Sequence, residues 1–547
     1  MAERYDLVVC GGGITGAGIA RDAAHRGLRV ALVEKRDFGS GTSSKSSKLV
    51  HGGLRYLEQG KLRLVFEGTN ERAVQMRRAP HLVRPLPFLF PIYKHSRRTL
   101  ATVDMGLWIY DALAMFRSPK LHRTYGRRKV QKLEPALSAA DLAGAIEYYD
   151  CLTDDARLVL ENVLDARALG ADVMSYTRVV GFARDERGRV AGVRVRDEFS
   201  GAERELAANA AIIAAGPWTD ELVGQVTTTP PTRRLLRPTK GVHIVVDHAR
   251  LPVTRAVTMM MRDQRVTFCI PWQERTVVGT TDTFYDGSPD DVVADAADVA
   301  YLCASVNEFF PEARLDASAV LATWAGLRPL IAPAEVQEAG ATSREHEVHV
   351  HDDGVIVIAG GKLTTYRRMA REATDRALEW LSDRSDAALE GRELRPCRTK
   401  HRPLPGAFGL EPTGQAGVRA IAARLESEGG FAPRVAEHLS QTYGVRAELV
   451  TRRIAAEPAL GERIDAELPY LWAEVDHAVE HDLARTVEDL LCRRIPLCLR
   501  GRDQGLAVAP RIADRMRARL GWSEAEATRH LADYRATVAA SRRHLGG

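Results

Sequence analysis

Residues 5–35, YDLVVCGGGITGAGIARDAAHRGLRVALVEK, contain the pattern that decides the fold. The apolar residues 7–10 predict a buried parallel strand, and Gly11, Gly13 and Gly16 follow it at the G-x-G-x-x-G spacing. The first glycine permits a tight turn, the second lets the backbone approach a pyrophosphate, and the third lets the next helix pack closely on the strand. The phosphates then lie at the positive end of that helix. The sequence therefore predicts a dinucleotide site and redox chemistry.

The second strand of this unit and the acid at its end complete the pattern. Residues 30–33 follow the helix, and Glu34 comes directly after them. A carboxylate at this position accepts hydrogen bonds from the adenosine ribose and disfavours a 2′-phosphate. A glycine triplet alone is a weak signal, but triplet, helix, strand and terminal acid within about 30 residues indicate a nucleotide-binding unit.

The length and composition indicate a multidomain globular enzyme. The 547 residues are 45% hydrophobic and 27% charged, which predicts two or three domains without overall disorder. The net charge of +5 is too small to indicate nucleic-acid binding. The seven cysteines are scattered without metal-ligand spacing, so buried reduced thiols are expected. Neither a signal peptide nor a membrane-spanning segment is expected, because no apolar stretch approaches ~20 residues.

Several later segments are predicted to return to the sheet formed by the first unit. Residues 154–174 have the spacing of a helix followed by a strand, and residues 179–195 predict a hairpin. Residues 210–215 form a buried strand that ends in a glycine turn. Residues 355–359 repeat the strand, glycine turn and helix, with the helix beginning near Tyr366. The nucleotide-binding domain is therefore expected to be discontinuous.

The middle third and the C-terminal part have different patterns. Residues 241–246, 265–270 and 276–279 alternate in the manner of antiparallel strands, which predicts a second sheet that holds the substrate. After the Pro- and Gly-rich residues 395–409 the pattern is helical to the end of the chain. A separate helical domain is expected there.

Residues 38–56, FGSGTSSKSSKLVHGGLRY, indicate which dinucleotide is bound. A loop of small hydroxyl residues and glycines can wrap an extended anionic cofactor, because hydroxyls and backbone amides donate to phosphate. Such groups can also donate to the polar edge of an isoalloxazine ring, which FAD carries and NAD lacks. The alternative is a solvated Ser/Gly linker, but linkers do not usually end in a segment such as LVHGGLRY. The loop therefore favours FAD.

A set of long strings occurs in one order along the chain: the turn at 11–18, TSSKSSKLVHGGLRYLE, AAGPWTD, TKGVHIVV, IPW followed by VVGTTDT, WAGLRPL and GGKLTTYRRMA. Together they resemble the family of FAD-dependent, quinone-linked (aerobic) sn-glycerol-3-phosphate dehydrogenases, over Tyr5 to about Arg371 and more loosely over the helical C-terminal region. The resemblance implies oxidation of glycerol 3-phosphate to dihydroxyacetone phosphate, with electrons usually passed to membrane quinone.

The resemblance also implies an architecture. It is an α/β fold in which an FAD-binding Rossmann-like domain carries an inserted mixed β-sheet substrate domain, as in D-amino-acid oxidase, followed by an all-helical C-terminal domain. The boundaries that we predict are 1–90, 150–225 and 325–385 for the discontinuous FAD-binding domain, 91–149 and 226–324 for the substrate and membrane-facing domain, and 395–547 for the C-terminal helical domain.

The predicted cofactor contacts lie in the turns and loops that the resemblance covers. They are Gly11, Gly13, Thr15, Gly16, Glu34, Thr42, Ser43, Ser44, Ser47, Lys48, Leu49, His51, Gly52, Val179, Gly216, Trp218, Gly361, Lys362, Leu363 and Thr364.

Oxidation of a secondary alcohol requires a base for the hydroxyl proton while C2 delivers a hydride to flavin N5. Histidine suits this task because its unperturbed pKa lies near working pH. His51, in the loop expected near the ring, and His243, at the start of a strand of the substrate sheet, are the candidates. The sequence leaves open which of them is the base. Many relatives carry a serine where this chain has Val242, so the resemblance does not carry over one hydrogen bond at the substrate.

The substrate phosphate favours arginine, whose planar fork donates two parallel hydrogen bonds and keeps its charge. Arg55, Arg328 and Arg344 occupy the family's motif positions, and Arg328 is also counted among the catalytic residues. Lys362, at a glycine turn before a helix, is placed to stabilise negative charge on reduced flavin. The remaining predicted substrate contacts are Tyr56, Thr280, Thr281 and Lys362 itself.

Residues 94–132 form a basic segment, with ten Lys and Arg against two acids. Leu100, Val103, Leu107, Trp108, Ala114 and Met115 are expected on one side of a helix there. A basic amphipathic segment with tryptophan can lie in an anionic membrane surface, and the alternative is a helix packed on the domain core. We therefore expect a cytoplasmic protein attached peripherally to the inner face of the plasma membrane, with quinone as acceptor and a homodimer as one possible assembly.

Three other functions fit parts of the sequence. A glycerol-3-phosphate oxidase would share the site and deliver electrons to O2, and no motif excludes it. A non-catalytic flavin-binding redox sensor or scaffold would not require Arg55, Arg328, Lys362 and the histidines. An oxidase of amines or amino acids would have no use for so many cations that can bind phosphate.

Overall fold

A computed structural model describes residues 4–226, 234–261, 263, 265–332, 345–383, 389, 392–410 and 413–545, except for the side chain of Arg55. The strands of the described part are β1 (Tyr5–Cys10), β2 (Val30–Val33), β3 (Leu49–Val50), β4 (Arg84–Tyr93), β5 (Arg123–Gly126), β6 (Leu142–Leu152), β7 (Asp172–Met174), β8 (Thr177–Arg184), β9 (Val190–Asp197), β10 (Glu203–Ile213), β11 (Thr239–Asp247), β12 (Ala256–Met260), β13 (Val266–Trp272), β14 (Arg275–Gly279), β15 (Thr283–Phe284), β16 (Val320–Arg328), β17 (His346–Val350) and β18 (Val355–Gly360).

The helices of the same residues are α1 (Ile14–Arg26), α2 (Leu54–Glu58), α3 (Leu62–Arg78), α4 (Leu100–Leu113), α5 (Arg127–Leu133), α6 (Asp155–Ala168), α7 (Thr219–Val226), α8 (Ala296–Phe309), α9 (Tyr366–Ser382), α10 (Gln415–Ser427), α11 (Pro433–Tyr443), α12 (Ala447–Ala456), α13 (Trp472–Glu480), α14 (Val487–Asp489), α15 (Leu497–Arg500), α16 (Ala509–Leu520) and α17 (Glu524–Ser541). None of these helices combines the length and apolar character needed to cross a bilayer.

The first sheet has the strand order β17–β18–β10–β1–β2–β7, with β1 near its centre. The pairs from β18 to β7 are parallel, and β17 is an antiparallel edge strand. The hairpin β8–β9 extends from β10. Residues 7–10 are fully buried because apolar clusters cover both faces, with α1, α6 and α9 on one side. The predicted strand, glycine turn and helix at the start of the chain, and the segments that return to its sheet, are confirmed.

The second sheet has the order β15–β11–β14–β13–β12–β4–β6–β3, with β16 paired to β11 and β5 to β6. Its pairs are antiparallel except for β12–β4, which is parallel. This is the mixed sheet expected of the inserted domain, and β11, β13 and β14 cover the three strands predicted from alternation. Alternation predicts them because the two faces of each strand have different surroundings: one face packs on the core below the sheet, and on the other β11 and β13 line a cavity while β14 packs on a second apolar cluster.

The described residues after 413 form helices α10–α17 and a π-helical turn at Leu490–Arg494. These helices enclose an apolar core of their own, as expected of a separate helical domain. The division of the first 385 residues stays a prediction. The predicted boundaries at 90/91, 149/150 and 324/325 fall inside β4, β6 and β16, three strands of the second sheet.

Candidate active site

The glycine turn brings the backbone of β1 close to two neighbours. Gly11 has φ +115°, and a side chain there would collide with the carbonyl of Ala214 at the end of β10. A side chain at Gly16 would overlap the carbonyl oxygen of Gly11, so α1 packs tightly on the turn. The hydroxyl of Ser43 accepts a hydrogen bond of 2.9 Å from the N–H of Ile14, at the N-terminus of α1. The hydroxyl-rich loop is thus attached to the helix end that favours phosphate.

Glu34 lies at the end of β2 with both carboxylate oxygens used. Oε2 accepts from the N–H of Gly12 at 2.7 Å, and Oε1 accepts from the N–H of Arg36 at 2.9 Å. Burial raises the pKa of Glu34, while the two amide donors oppose that effect. Each carboxylate oxygen has a second lone pair, so a ribose can still donate to it.

Two connected cavities hold most of the predicted site. A narrow cavity of about 190 Å³ lies over the glycine turn, and a wide cavity of about 1360 Å³ lies against the second sheet. The predicted residues that line the narrow cavity are Gly11, Gly13, Thr15, Glu34, Val179, Gly216 and Trp218. Those that line the wide cavity are Ser47, Leu49, His51, Tyr56, His243, Thr280, Arg328 and Thr364. Both are lined by Thr42, Ser43, Gly361, Lys362 and Leu363, which therefore mark their junction.

Five predicted residues do not line either cavity in the part of the chain that the structure describes. Gly16 packs against the turn, and Ser44 lies in a short 3-10 turn. Lys48 is buried and its Nζ is 2.6 Å from Oδ1 of Asp155. The N–H of Gly52 donates to the hydroxyl of Tyr110 at 3.0 Å, and the hydroxyl of Thr281 accepts from the N–H of Val242 at 3.0 Å. These contacts hold the neighbouring backbone and charges in place. The side chains of Lys48 and Thr281 and the amide of Gly52 therefore already have hydrogen-bond partners within the protein.

Three further predicted positions are Arg344, Arg55 and Val242. Arg344 lies outside the described residues, and so does the side chain of Arg55, which belongs to α2. Val242 points into the apolar core beneath β11, whereas Gly241 and His243 line the wide cavity. A side chain at 242 therefore faces away from the cavity, because neighbours along a strand alternate.

His243 is buried on β11, and its ring stacks on Trp324 with centroids 5.0 Å apart and 13° between the planes. Its Nε2 shares a hydrogen bond of 2.8 Å with the hydroxyl of Ser47, and its buried Nδ1 has no hydrogen-bond partner in the described part. Burial lowers the pKa of His243 well below its ordinary value, and the charges of Arg328 and Lys48 lower it further. The imidazole is therefore neutral at neutral pH, with one nitrogen able to accept a proton.

Arg328 ends β16 at the wall of the wide cavity. Its Nη1 lies 2.9 Å from Oδ1 of Asp282, and its Nη2 donates to the Thr280 hydroxyl at 3.1 Å and to the Thr281 carbonyl at 3.2 Å. These contacts fix the plane of the guanidinium. The permanent positive charge at this wall favours an oxyanion in the cavity.

Lys362 lies at the junction of the two cavities, directly after two glycines with φ +76° and +83°. Its Nζ is 3.7 Å from the centre of the Tyr56 ring. A 3-10 turn and then α9 begin after it, so a helical N-terminus also points toward this place. Thr364 in that turn accepts a hydrogen bond from the N–H of His51 and donates to the carbonyl of the same residue, both at 3.2 Å.

Asp282 and Lys45 are among the lining residues that were not predicted. Asp282 orients Arg328, and it follows the predicted Thr280-Thr281 pair in the sequence. Lys45 lines both cavities and lies within the hydroxyl-rich loop, whose lysines were the available signal. Burial lowers the pKa of Lys45, and Glu488 of the helical domain opposes that effect.

The outer part of the wide cavity reaches the basic segment. Met105, Gly106 and Ile109 of α4 line it. The expectation for the apolar side of α4 is wrong in detail, because Val103 and Leu107 are buried while Trp108 is exposed on another side. Helix α4 thus has apolar residues on its buried side and on its exposed side. We call the exposed large residues on and near it the apolar patch: Leu62, Phe66, Met105, Trp108, Ile109, Met115, Phe116 and Leu121.

The residues of the narrow cavity fit a dinucleotide. The turn has no space for side chains, the helix end and Ser43 suit a pyrophosphate, and Glu34 suits a ribose. The wide cavity that continues from it has room for a flavin ring and a small substrate.

Comparisons with known proteins agree with this geometry. A family model described as "FAD dependent oxidoreductase" matches residues 6–376, and one described as "C-terminal domain of alpha-glycerophosphate oxidase" matches residues 397–527. The chain is 38% identical to glycerol-3-phosphate dehydrogenase 2 of Mycobacterium tuberculosis, over 98% of this chain and 88% of that protein. It is 34% identical to the aerobic glycerol-3-phosphate dehydrogenase of Bacillus subtilis, over 96% and 93%.

A solved structure gives the same result. The glycerol-3-phosphate dehydrogenase from Bacillus halodurans, complexed with FAD, superposes with a TM-score of 0.81 at 31% identity, covering 100% of this chain and 97% of that one. The chain belongs to the family of FAD-dependent glycerol-3-phosphate dehydrogenases, and it is an FAD-dependent oxidoreductase.

Proposed function

We propose that this flavoenzyme oxidises sn-glycerol 3-phosphate to dihydroxyacetone phosphate and passes the electrons to a membrane quinone. The observation that carries the proposal is the wide cavity, in which a guanidinium suited to an oxyanion and a neutral histidine lie beside the dinucleotide site. The names of the relatives support the same substrate.

Arg328 binds the phosphate in this proposal. Its positive charge attracts the phosphate, and its Nη2 can donate to a phosphate oxygen in exchange for the Thr281 carbonyl, to which it now donates at 3.2 Å. Asp282 and Thr280 keep the guanidinium in one orientation, so little conformational entropy is lost when the substrate binds. Tyr56 also lines the cavity, and the family resemblance alone assigns Arg55 to the substrate.

His243 takes the proton of the C2 hydroxyl at its accepting ring nitrogen. Ser47 and the Trp324 face hold the ring, which fixes the direction from which a proton arrives. A low pKa disfavours proton transfer to this ring, but a bound phosphate dianion offsets the positive field of Arg328 and raises the pKa again. His51, which also lines the cavity, is the alternative base.

When bound, FAD supplies the two-electron acceptor that takes the hydride from C2 at N5. Lys362 and the helical turn after it place positive charge at the junction of the cavities, which favours negative charge on the ring. The buried apolar floor of the wide cavity, including Phe88, Tyr148 and Met260, limits water near the reacting carbon.

An anionic membrane surface is the proposed source of quinone. The apolar patch surrounds α4, whose Met105 and Ile109 also line the wide cavity. Nine of the ten basic residues between 94 and 132 are exposed, and only Arg98 is half-buried. Exposed aromatic and aliphatic side chains bordered by lysine and arginine suit the interface of an anionic bilayer, where each cation near the surface contributes about 1 kcal/mol. A quinone in that bilayer would lie near the mouth of the cavity.

Anaerobic mixing with substrate tests the reaction. Glycerol 3-phosphate should bleach the flavin absorbance near 450 nm, whereas glycerol and amino acids should not at equal concentration. A flavin that stays oxidised under saturating glycerol 3-phosphate would refute the proposed activity. Subsequent addition of a quinone analogue or of air separates the dehydrogenase from the oxidase, because rapid reoxidation by air with stoichiometric peroxide would establish the oxidase.

Vesicle flotation tests the membrane surface. The protein should float with vesicles that contain phosphatidylglycerol and less with neutral vesicles. Replacing Met105 and Trp108 by serine should abolish flotation, while the matched replacement of Val350 and Phe408, exposed apolar residues elsewhere, should not. Equal flotation of both double variants would refute the assignment of this surface.

A further inference from the structure

The loop between β2 and the wide cavity is held from the C-terminal helical domain. Asp37, three residues after Glu34, is fully buried. Its Oδ2 lies 2.5 Å from Nε of Arg493 and 2.5 Å from Nη1 of Arg494, and its Oδ1 accepts from Nη2 of Arg494 at 2.8 Å. These residues are more than 450 positions apart in sequence. One carboxylate of the nucleotide-binding loop is thus clamped by two adjacent arginines.

The two arginines are themselves fixed on the side of the helical domain. Arg494 donates from Nε to the carbonyl of Asp482 at 2.9 Å. Arg493 donates to Asp489 at 2.9 Å and to Glu488 at 3.1 Å. Both lie in the π-helical turn at Leu490–Arg494, a local widening that sets the direction of its side chains. The guanidiniums therefore have few alternative positions.

A second contact joins Asp489, the residue before this turn, to the first sheet. The hydroxyl of Tyr176, which follows β7, donates to Oδ1 of Asp489 at 2.6 Å. The carbonyl of Arg36 in turn accepts from the N–H of Tyr176. Burial alone would raise the pKa of Asp37, but the charges of Arg494 and Arg493 outweigh it and lower the pKa. The carboxylate is therefore charged, and each of its oxygens is paired.

The clamped carboxylate lies next to the backbone that lines the narrow cavity. The carbonyl of Asp37 accepts from the N–H of Ser40, and the N–H of Gly39 donates to the carbonyl of Gly12 in the glycine turn. Ser40, Gly41, Thr42 and Ser43 all line that cavity. A shift of Asp37 would therefore move the loop relative to the turn.

We infer that Arg493 and Arg494 are positioning residues of the dinucleotide site: by holding Asp37 from the helical domain, they fix the loop that closes the narrow cavity. FAD binding and docking of the helical domain then stabilise each other, because both favour the same conformation of the loop. Neither arginine lines the narrow or the wide cavity, so the effect is transmitted through Asp37. The inference does not depend on which substrate the enzyme oxidises.

Variants that remove the clamp test the inference through FAD affinity. Asp37→Asn keeps the shape of the side chain and removes its charge, and Arg494→Met keeps an unbranched stem and removes the donors. The matched control is Arg515→Met, because Arg515 makes two 2.7 Å hydrogen bonds to Asp476 within the helical domain. The dissociation constant of FAD is measured on apoprotein by quenching of flavin fluorescence, at a temperature well below each variant's melting midpoint.

The clamp variants should bind FAD about 10- to 100-fold more weakly, the range produced by loss of outer-shell support at metal sites. The control should bind FAD as the wild type does, even where its melting midpoint falls. Equal dissociation constants for the clamp variants, the control and the wild type would overturn the inference.

If a variant fails to fold, hydrogen exchange of the wild-type protein provides an independent test of the inference. FAD added to wild-type apoprotein should slow amide exchange in the π-helical turn Leu490–Arg494 as well as in residues 36–47. Exchange in α16, which belongs to the same helical domain, should change much less. Slowing confined to the first sheet and its loops would overturn the inference.

Discussion

Replacement of Arg328 by alanine is the sharpest test of the phosphate site. The guanidinium of Arg328 lines the wide cavity and donates to the Thr280 hydroxyl at 3.1 Å. A hydrogen bond to a charged group contributes about 1.5–3 kcal/mol. Since every 1.4 kcal/mol is a factor of ten, loss of this contact should raise the half-saturating concentration of glycerol 3-phosphate about 10- to 150-fold.

Asp282 pushes the expected loss toward the upper end of that range. Its carboxylate lies 2.9 Å from Nη1 of Arg328 and is only 12% exposed, so the alanine variant leaves a partly buried negative charge near the incoming phosphate. The double variant with Asp282→Asn should therefore bind substrate better than Arg328→Ala alone. Arg328→Lys, which keeps the charge and loses the planar fork, should fall between wild type and alanine.

The assay is anaerobic flavin reduction in a stopped-flow instrument, with flavin content taken from the absorbance near 450 nm. The control is Arg265→Ala, because Arg265 also lines the wide cavity but pairs with Asp263 at 3.2 Å and has a side chain 43% exposed. The reasoning is refuted if Arg328→Ala keeps the half-saturating concentration of the wild type, or if the arginine and control variants lose substrate affinity equally. Loss of flavin from Arg328→Ala would also contradict its assignment to the phosphate.

Three further predictions follow from charge and burial. If a phosphate dianion raises the pKa of His243, saturating glycerol should reduce the flavin slowly, and added inorganic phosphite should accelerate that reduction; no acceleration at any phosphite concentration would contradict the mechanism. His81 is buried with its pKa lowered to about 4, below its value in the unfolded chain, so stability is complete above pH ~6.5 and falls toward pH 4. The loss is about 1.4 kcal/mol per pH unit, roughly 3 kcal/mol in all, and thermal unfolding of His81→Gln should show a flatter pH dependence. Lys362→Met should make the flavin reduction potential more negative, as measured by equilibration with a redox dye. An unchanged potential would show that Lys362 does not stabilise negative charge on the flavin ring.

The spacing of residues in the sequence predicted those elements whose structure depends on residues close together in the chain. The first strand, glycine turn and helix follow from sterics within a few residues, since Gly11 and Gly16 are the places where the backbone packs against its neighbours. The antiparallel strands of the second sheet follow from alternation because one face is apolar core. Family resemblance then supplied the flavin and the substrate, which spacing alone did not distinguish from other dinucleotide chemistry.

Partners that are distant in sequence could not be predicted in the same way. Lys48 was assigned to the cofactor, but its charge is paired with Asp155, which lies 107 residues away. Thr280 and Thr281 look equivalent in sequence, but the hydroxyl of Thr280 accepts from Arg328 and that of Thr281 accepts from the N–H of Val242. These roles depend on which strands become neighbours, and a composition or a spacing does not encode that.

In the proposed reaction, the wide cavity favours a phosphorylated alcohol over a neutral one through more than binding affinity. In the free protein burial, together with the charges of Arg328 and Lys48, lowers the pKa of His243, so the ring is neutral and a weak base. Lys48 is paired with Asp155 and Arg328 with Asp282, but only Arg328 of these two cations lines the wide cavity, so a bound phosphate acts mainly on the field of Arg328. A dianion that binds there cancels this field close to the reacting hydroxyl, and the base becomes stronger at the moment when it is needed. The phosphate is thus remote from the carbon that is oxidised, but its binding promotes the oxidation there by strengthening the base.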